Sequence, residues 1–141
     1  MAYTDHANGA FLTRPGNYNI GKQILDEVIT LSRYINCAVD DLASGAFYKL
    51  WSVPDDFALL EAYVSCDVVE GAADTVTITD DDSTTTSFVT VATLNTAGTI
   101  TATNARKTYQ AAGFIVMTPS AAIAVAKFWV IIKGMVLSKN A

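Results

Sequence analysis

The sequence predicts an all-β chain: an antiparallel β-sandwich of jelly-roll type, with about eight strands and an extended N-terminal arm. Three observations lead there. Residues 57–69 alternate, with Ala58, Leu60, Ala62, Val64, Cys66 and Val68 apolar, and with Glu61, Tyr63, Ser65 and Asp67 mixed with Phe57 and Leu59 at the positions between. That period of two marks a strand with one buried face. A Glu-Gly-Ala-Ala-Asp turn follows, and Thr75-Val76-Thr77-Ile78-Thr79 alternates again, which makes a meander with one wet face. Turn signals then recur at short, even intervals to the end of the chain, a spacing typical of sandwiches.

Residues 1–20 lack periodicity and carry isolated aromatics at Tyr3, Phe11 and Tyr18 beside a turn at Arg14-Pro15-Gly16-Asn17. Such a segment builds no core of its own, and the expectation is an arm ordered by lying on something else. Residues 21–141 form the sandwich. Residues 23–33 fit a helical stripe through Ile24, Val28, Leu31 and Ile35, or a strand through Leu25, Ile29 and Leu31 with Glu27 intruding. The β-branched run Val28-Ile29-Thr30 favours the strand. Residues 37–44 read as a loop, and residues 46–53 as a strand ended by Pro54.

Residues 88–94 form the next strand after a polar loop, and Asn95-Thr96-Ala97-Gly98 turns the chain. Residues 99–103 make a short strand with Ile100 inward, and residues 104–108 a basic loop. Residues 109–118 form a strand with Phe114, Ile115, Val116 and Met117 buried and a bulge expected at Gly113. Residues 119–122 are a corner. The final strand, 124–137, turns Ala126, Phe128, Val130, Ile132 and Val136 one way and Lys127, Trp129, Ile131, Lys133 and Met135 the other.

With 51% hydrophobic and 16% charged residues, the 141-residue chain is folded and large enough for one core. Its net charge of −5 argues against nucleic acid as a partner. The charge is uneven: residues 1–82 hold all 14 acids and sum to −10, whereas residues 83–141 hold five cations, no acid, and sum to +5. Either neighbouring strands cancel each other, or acidic and basic surfaces of neighbouring subunits meet. Cys37 and Cys66 do not amount to a disulfide framework. No signal peptide is visible, and the apolar run 121–137, cut by Lys127 and Lys133, falls short of the ~20 residues of a membrane helix. A soluble chain made in a cytoplasm, with no membrane partner, is expected.

Catalytic chemistry finds little to stand on. The single histidine, His6, lies in the arm, which leaves no Ser-His-Asp triad or two-histidine zinc site in the body. Glu61 with Asp67 or Glu70 matches a glycosidase pair in composition only, and a solvated surface is the plainer reading. Asp80-Asp81-Asp82 supplies hard oxygen ligands, but the spaced pattern of a calcium loop is absent, so a solvated hairpin end is expected. No cofactor and no catalytic residue are assigned.

The body resembles a known family. The strand ending at Val53-Pro54, the V-x-x-G-x-A-D-T meander of residues 68–75, the L-N-x-x-G-T turn of residues 94–99 and the T-P-S-A-A corner of residues 118–122 are similar to those of capsid decoration, or cement, proteins of tailed bacteriophages. The similarity spans roughly residues 42–137. It implies a jelly-roll sandwich that binds rather than catalyses. It also implies a place on the outside of the virion, made in the host bacterial cytoplasm, with the major capsid protein and copies of itself, as a homotrimer or a dimer, for partners. The expected contact residues are Tyr3, Phe11, Arg14 and Tyr18 of the arm, and Lys127, Trp129, Ile131, Lys133 and Met135 of the last strand, where an aromatic stands between two lysines. A head-fibre or tail-fibre component binding host-surface glycan is the alternative. Its mark would be aromatics exposed at loop ends rather than on sheet faces.

Overall fold

The computed structural model describes residues 27–81, 86–103 and 105–138. These form nine strands: β1 (Ile29–Asn36), β2 (Tyr48–Val53), β3 (Phe57–Val68), β4 (Thr75–Asp80), β5 (Ser87–Thr93), β6 (Ile100–Thr103), β7 (Lys107–Thr108), β8 (Gly113–Pro119) and β9 (Lys127–Val136). Among the described residues no helix is long and apolar enough to cross a membrane.

The pairing is that of one long hairpin folded over on itself. Antiparallel pairs nest around its tip: β1 with β9, β2 with β8, β3 with β6 and β7, and β4 with β5. Wrapping then brings β3 against β9 and β4 against β8. The result is a sheet ordered β1-β9-β3-β6, with β7 also on β3, and a second sheet ordered β2-β8-β4-β5. This is the predicted jelly-roll sandwich. Residues 1–20, the expected arm, lie outside the described residues.

Bulges decide which side chains reach the core. In β3 the register against β9 shifts between Leu59 and Glu61 and again between Cys66 and Val68. One extra residue reverses the parity of everything beyond it. Phe57 and Leu59 therefore point inward before the first shift, and Ala62, Val64 and Cys66 after it. The expectation that Leu60 and Val68 share that buried face fails: Leu60 is half-buried and Val68 exposed. In β2 the shift falls between Lys49 and Trp51, so Leu50 and Trp51 are both buried. The bulge expected at Gly113 is thus on the opposite strand. Gly113 meets a different need, because a Cβ there would lie 3.0 Å from Asp81 Oδ1 and 3.2 Å from the Tyr109 ring.

Other boundaries differ for local reasons. The first strand runs over residues 29–36 rather than 23–33. On it Arg33 faces inward at 6% exposure, and its Nη1 donates to the Leu50 carbonyl at 2.8 Å, across the mouth of the sandwich at the bulge of β2. β8 starts at Gly113, four residues later than expected, and Phe114 is half-buried beneath Lys49, whose Nζ sits 4.3 Å from the ring centroid. β9 starts at Lys127 because the Glu70 carboxylate takes the N–H groups of Ala124, Val125 and Ala126 at 3.0, 2.8 and 2.7 Å. Ile100, expected inward, is 65% exposed, because it pairs with outward-facing Ser65.

Of the aspartates at the end of β4, Asp81 is exposed as expected, but Asp80 is not solvated. Asp80 is buried; its Oδ2 pairs with Lys107 Nζ at 2.5 Å and its Oδ1 accepts from Thr86 N at 3.1 Å. Asp81 Oδ1 accepts from Phe114 N at 3.0 Å, and Asp82 lies outside the described residues. Each carboxylate that can be placed ties strands together instead of converging on a common point. Lys107–Asp80 and Lys133–Glu61 (3.7 Å) both join the basic half of the chain to the acidic half, so charge cancels within the molecule at these two places.

Cys37 and Cys66 are buried free thiols. Burial first, then the nearby carboxylates of Glu70, Asp41 and Asp40, push the Cys37 thiol from its ordinary 9.0 up to about 12. The unfolded thiol ionises near 9 and the folded one does not. This contribution to stability is therefore intact below pH 9 and is lost as pH rises from 9 towards 12. Denaturant titrations between pH 8 and 11 are expected to show falling stability, with a shallower slope for Cys37→Ala. Equal slopes would exclude the thiol as a cause.

Candidate functional site

The outer face of the five-stranded sheet carries a mixture of aromatic, apolar and charged side chains that are exposed or half-buried. Registry aligns them in rows. Tyr34, Trp129, Ser65 and Ile100 form one row; Ser32, Ile131, Tyr63 and Ala102 the next; Thr30, Lys133 and Glu61 the third. Opposite residues in an antiparallel pair share a face, so these rows make a continuous surface. Trp129 is 40% exposed and packs on Tyr34 at 4.8 Å between centroids, tilted by 53°. Trp129 and Ile100 stand proud of the sheet with small Ser65 between them.

Polar contacts hold the aromatics in place. The Tyr34 hydroxyl donates to Asp67 Oδ2 at 2.7 Å, and the Tyr63 hydroxyl to Glu61 Oε2 at 2.5 Å. The Tyr63 hydrogen bond, and after it Lys133, holds the Glu61 carboxyl below its ordinary range. Both tyrosine hydroxyls are shifted up by their carboxylate partners. A glycosidase acid needs a raised pKa, and Glu61 has the reverse. Asp67 is engaged by Tyr34, and Glu70 by three backbone N–H groups. The composition-level pair is therefore three separate structural acceptors.

The structure brings Lys127, Trp129, Ile131, Lys133 and Met135 onto this one face, as the alternation of the last strand predicts. Tyr3, Phe11, Arg14 and Tyr18 lie outside the described residues. Sequence reasoning misses Tyr34, Tyr63 and Ile100. Tyr34 falls beyond the predicted end of its strand. Ile100 is the one large apolar residue of a short strand, which makes an inward assignment the default. Tyr63 carries a usable signal, since it sits on the polar phase of β3 among Glu61, Ser65 and Asp67.

Beside the face, a cleft of about 340 Å³ is lined by Val28, Leu60, Glu61, Arg106 and Lys133. On the opposite side of the molecule, a trough of about 450 Å³ lies over the four-stranded sheet between Phe47, Thr77, Thr79, Asp80, Asp81, Val116 and Thr118. There Thr77 Oγ1 donates to the Thr90 carbonyl and Thr79 Oγ1 to that of Asp80, each at 2.9 Å. Among the described residues no group of three or more His, Cys, Asp or Glu side chains is placed to hold a metal ion.

No protein-family model matches the chain, and no curated protein matches it in sequence. Solved structures do. A chain of the acidic stable capsid of Helicobacter pylori bacteriophage KHP30 superposes with a TM-score of 0.60 at 11% identity, over 79% of this chain and 90% of that one. A chain of the capsid of Ralstonia phage GP4 gives 0.54 at 15%, over 86% and 92%. A chain of the cyanophage Pam1 capsid asymmetric unit gives 0.54 at 13%, over 94% and 97%. At these identities the common property is the fold, shared over 79–94% of this chain and 90–97% of the others.

Proposed function

We propose that the chain is a structural protein of a bacteriophage head. More closely, it is a decoration or cement protein that binds the outside of the shell and bridges neighbouring major capsid subunits. The observation that carries this reading is the fold match, over 79%, 86% and 94% of this chain, to chains from three phage capsid structures. The outer face, with aromatics at its centre and Lys127, Glu61 and Lys133 around them, supports it as a surface suited to contact. So does the turn-by-turn resemblance of residues 42–137 to cement proteins. The protein acts by binding, without catalysis. Its partners are the major capsid protein and copies of itself, and its place is the virion exterior after synthesis in the host bacterial cytoplasm.

The mechanism is area and mass action. A standard specific contact buries ~1,200–2,000 Å², and a protein that binds only the assembled shell stabilises it in proportion to occupancy. Trp129, packed on Tyr34 and flanked by Lys127, Ile131 and Lys133, is the anchor, and the arm residues Tyr3, Phe11, Arg14 and Tyr18 add reach. Host-glycan capture would favour aromatics at loop ends; Tyr34, Tyr63 and Trp129 lie on strands, while Phe47, 40% exposed just before β2, is the described aromatic of the other kind.

Purified protein added to heads that lack it is expected to raise their tolerance of heat and low salt. Trp129→Ala is expected to weaken attachment by ~30-fold, the scale of a ~2 kcal/mol anchor, with little change in its own melting temperature because the ring is partly exposed. Heads equally robust without the protein, or attachment unchanged in Trp129→Ala, would overturn the reading.

A further inference from the structure

The outer face of the four-stranded sheet, on the side of the sandwich away from Trp129, is a different kind of surface. Tyr48 pairs with Met117, and Thr118 with Thr77. Phe47, one residue before β2, therefore stands beside Thr118, and Thr77 follows in the same row. Lys49, Val116 and Thr79 form the next row. Val116 and the three threonines are short and lie low on the sheet, so they floor the trough of about 450 Å³, while the 40% exposed Phe47 ring stands over one side of it.

The ring is held in that position although it takes no part in the core. The chain turns at Gly45, whose φ is 70° and whose N–H donates to the Pro119 carbonyl at 3.0 Å. Ser44 Oγ donates to the Ser120 carbonyl at 3.2 Å, and Ala43 N to the Tyr48 hydroxyl at 2.8 Å. These bonds dock the turn on the end of β8 and set the ring before any ligand arrives, which lowers the cost of binding. The turn, β4, β8 and residues 119–123 border this end of the trough, and all of them are described. The far end, at Asp81, adjoins residues outside the described ones, and the site is not built on it.

The lining selects a ligand by its hydrogen-bonding sense. Thr77 and Thr79 spend their hydroxyl protons on the Thr90 and Asp80 carbonyls, so toward the trough they act as acceptors. None of the described lining residues is a cation, and Asp80 is neutralised by Lys107. An anion, which brings only acceptors, finds no donor there, and a cation finds no unpaired charge at the Phe47 end. What fits is a neutral molecule with many O–H donors and an apolar face for the ring. A sugar has both, since its axial C–H groups are drawn to the negative face of an aromatic ring. We infer that this trough binds a neutral oligosaccharide, with one sugar ring stacked on Phe47 and its hydroxyls donating to Thr77 and Thr79. The volume is that of an ordinary ligand site. A chain attached through the Trp129 surface would carry the trough on its opposite side, and the inference stands with or without the capsid reading.

Calorimetric titration of the purified chain with tetrasaccharides of glucose, galactose, mannose and N-acetylglucosamine is expected to show binding of at least one. Phe47→Ala is expected to bind that sugar about tenfold more weakly, with little change in melting temperature, and Phe47→Trp to bind it as the wild type does. Thr77→Val keeps the shape of the floor and removes an acceptor, so about fivefold weaker binding is expected. Phe47→Ala is expected to attach to phage heads like the wild type, which separates this site from the Trp129 surface. Binding of none of the four sugars, equal binding by Phe47→Ala, or loss of binding in Trp129→Ala instead would overturn the proposal.

Discussion

Replacing Asp80 with alanine is expected to cost about 3–5 kcal/mol of folding stability, the usual result of removing one partner from a buried ion pair. The Asp80 side chain is wholly buried and that of Lys107 is 16% exposed. Their contact ties the end of β4 in one sheet to β7 in the other. Asp80 Oδ1 also accepts from Thr86 N, which pins the far side of the β4–β5 connection. Alanine removes both bonds and leaves the Lys107 ammonium in a pocket shaped for a carboxylate, 5.1 Å from the Tyr109 ring. Lys107→Met should be comparably harmful, because it strands a carboxylate. Removing both partners together, in Asp80→Leu with Lys107→Met, should recover much of the loss. Urea denaturation of the three variants measures this, and additive losses in the double variant would mean the two side chains act independently.

Gly134→Ala is expected to cost about 3 kcal/mol, at the upper end of the overpacking range. Gly134 lies in β9 opposite Leu59, facing the core, and a Cβ there would sit 2.5 Å from Phe57 Cζ and 2.6 Å from the Ala58 carbonyl oxygen. The ring could tilt away, but the carbonyl belongs to the neighbouring strand and has nowhere to go. Adding Phe57→Leu should therefore rescue only part of the loss. Full rescue, or a denaturation midpoint unchanged in Gly134→Ala, would show that β3 and β9 can slide apart more freely than this registry implies.

Both sites show where reading by residue type stops. Asp80 belongs to a run of three aspartates, and consecutive acids are ordinarily solvated; its burial depends on Lys107, 27 positions away and on the opposite sheet. Gly134 is one glycine in an apolar strand, and the need for it comes from Phe57. Phe57 turns inward because the bulge beyond Leu59 resets the alternation of β3. Arg33 is similar: a cation inside a sandwich is unexpected until the β2 bulge presents the Leu50 carbonyl to it. The candidate face is half legible. Alternation in the last strand places Trp129, Ile131, Lys133 and Met135 on one surface, while Tyr34 and Ile100 join it only through cross-strand registry.

What the sequence by itself determined was the class of element and most of the strand list, because a period of two and the turn residues between strands are local properties. A residue and its second neighbour carry them without help from the rest of the chain. The two faces of β9 follow from the same local rule, since β9 keeps its alternation from end to end. What only the tertiary structure decided was the parity beyond each bulge and the partners of buried Arg33 and Asp80. Those depend on which strand lies alongside, and in a folded-over hairpin the neighbours of β1 and β2 come from the other end of the chain.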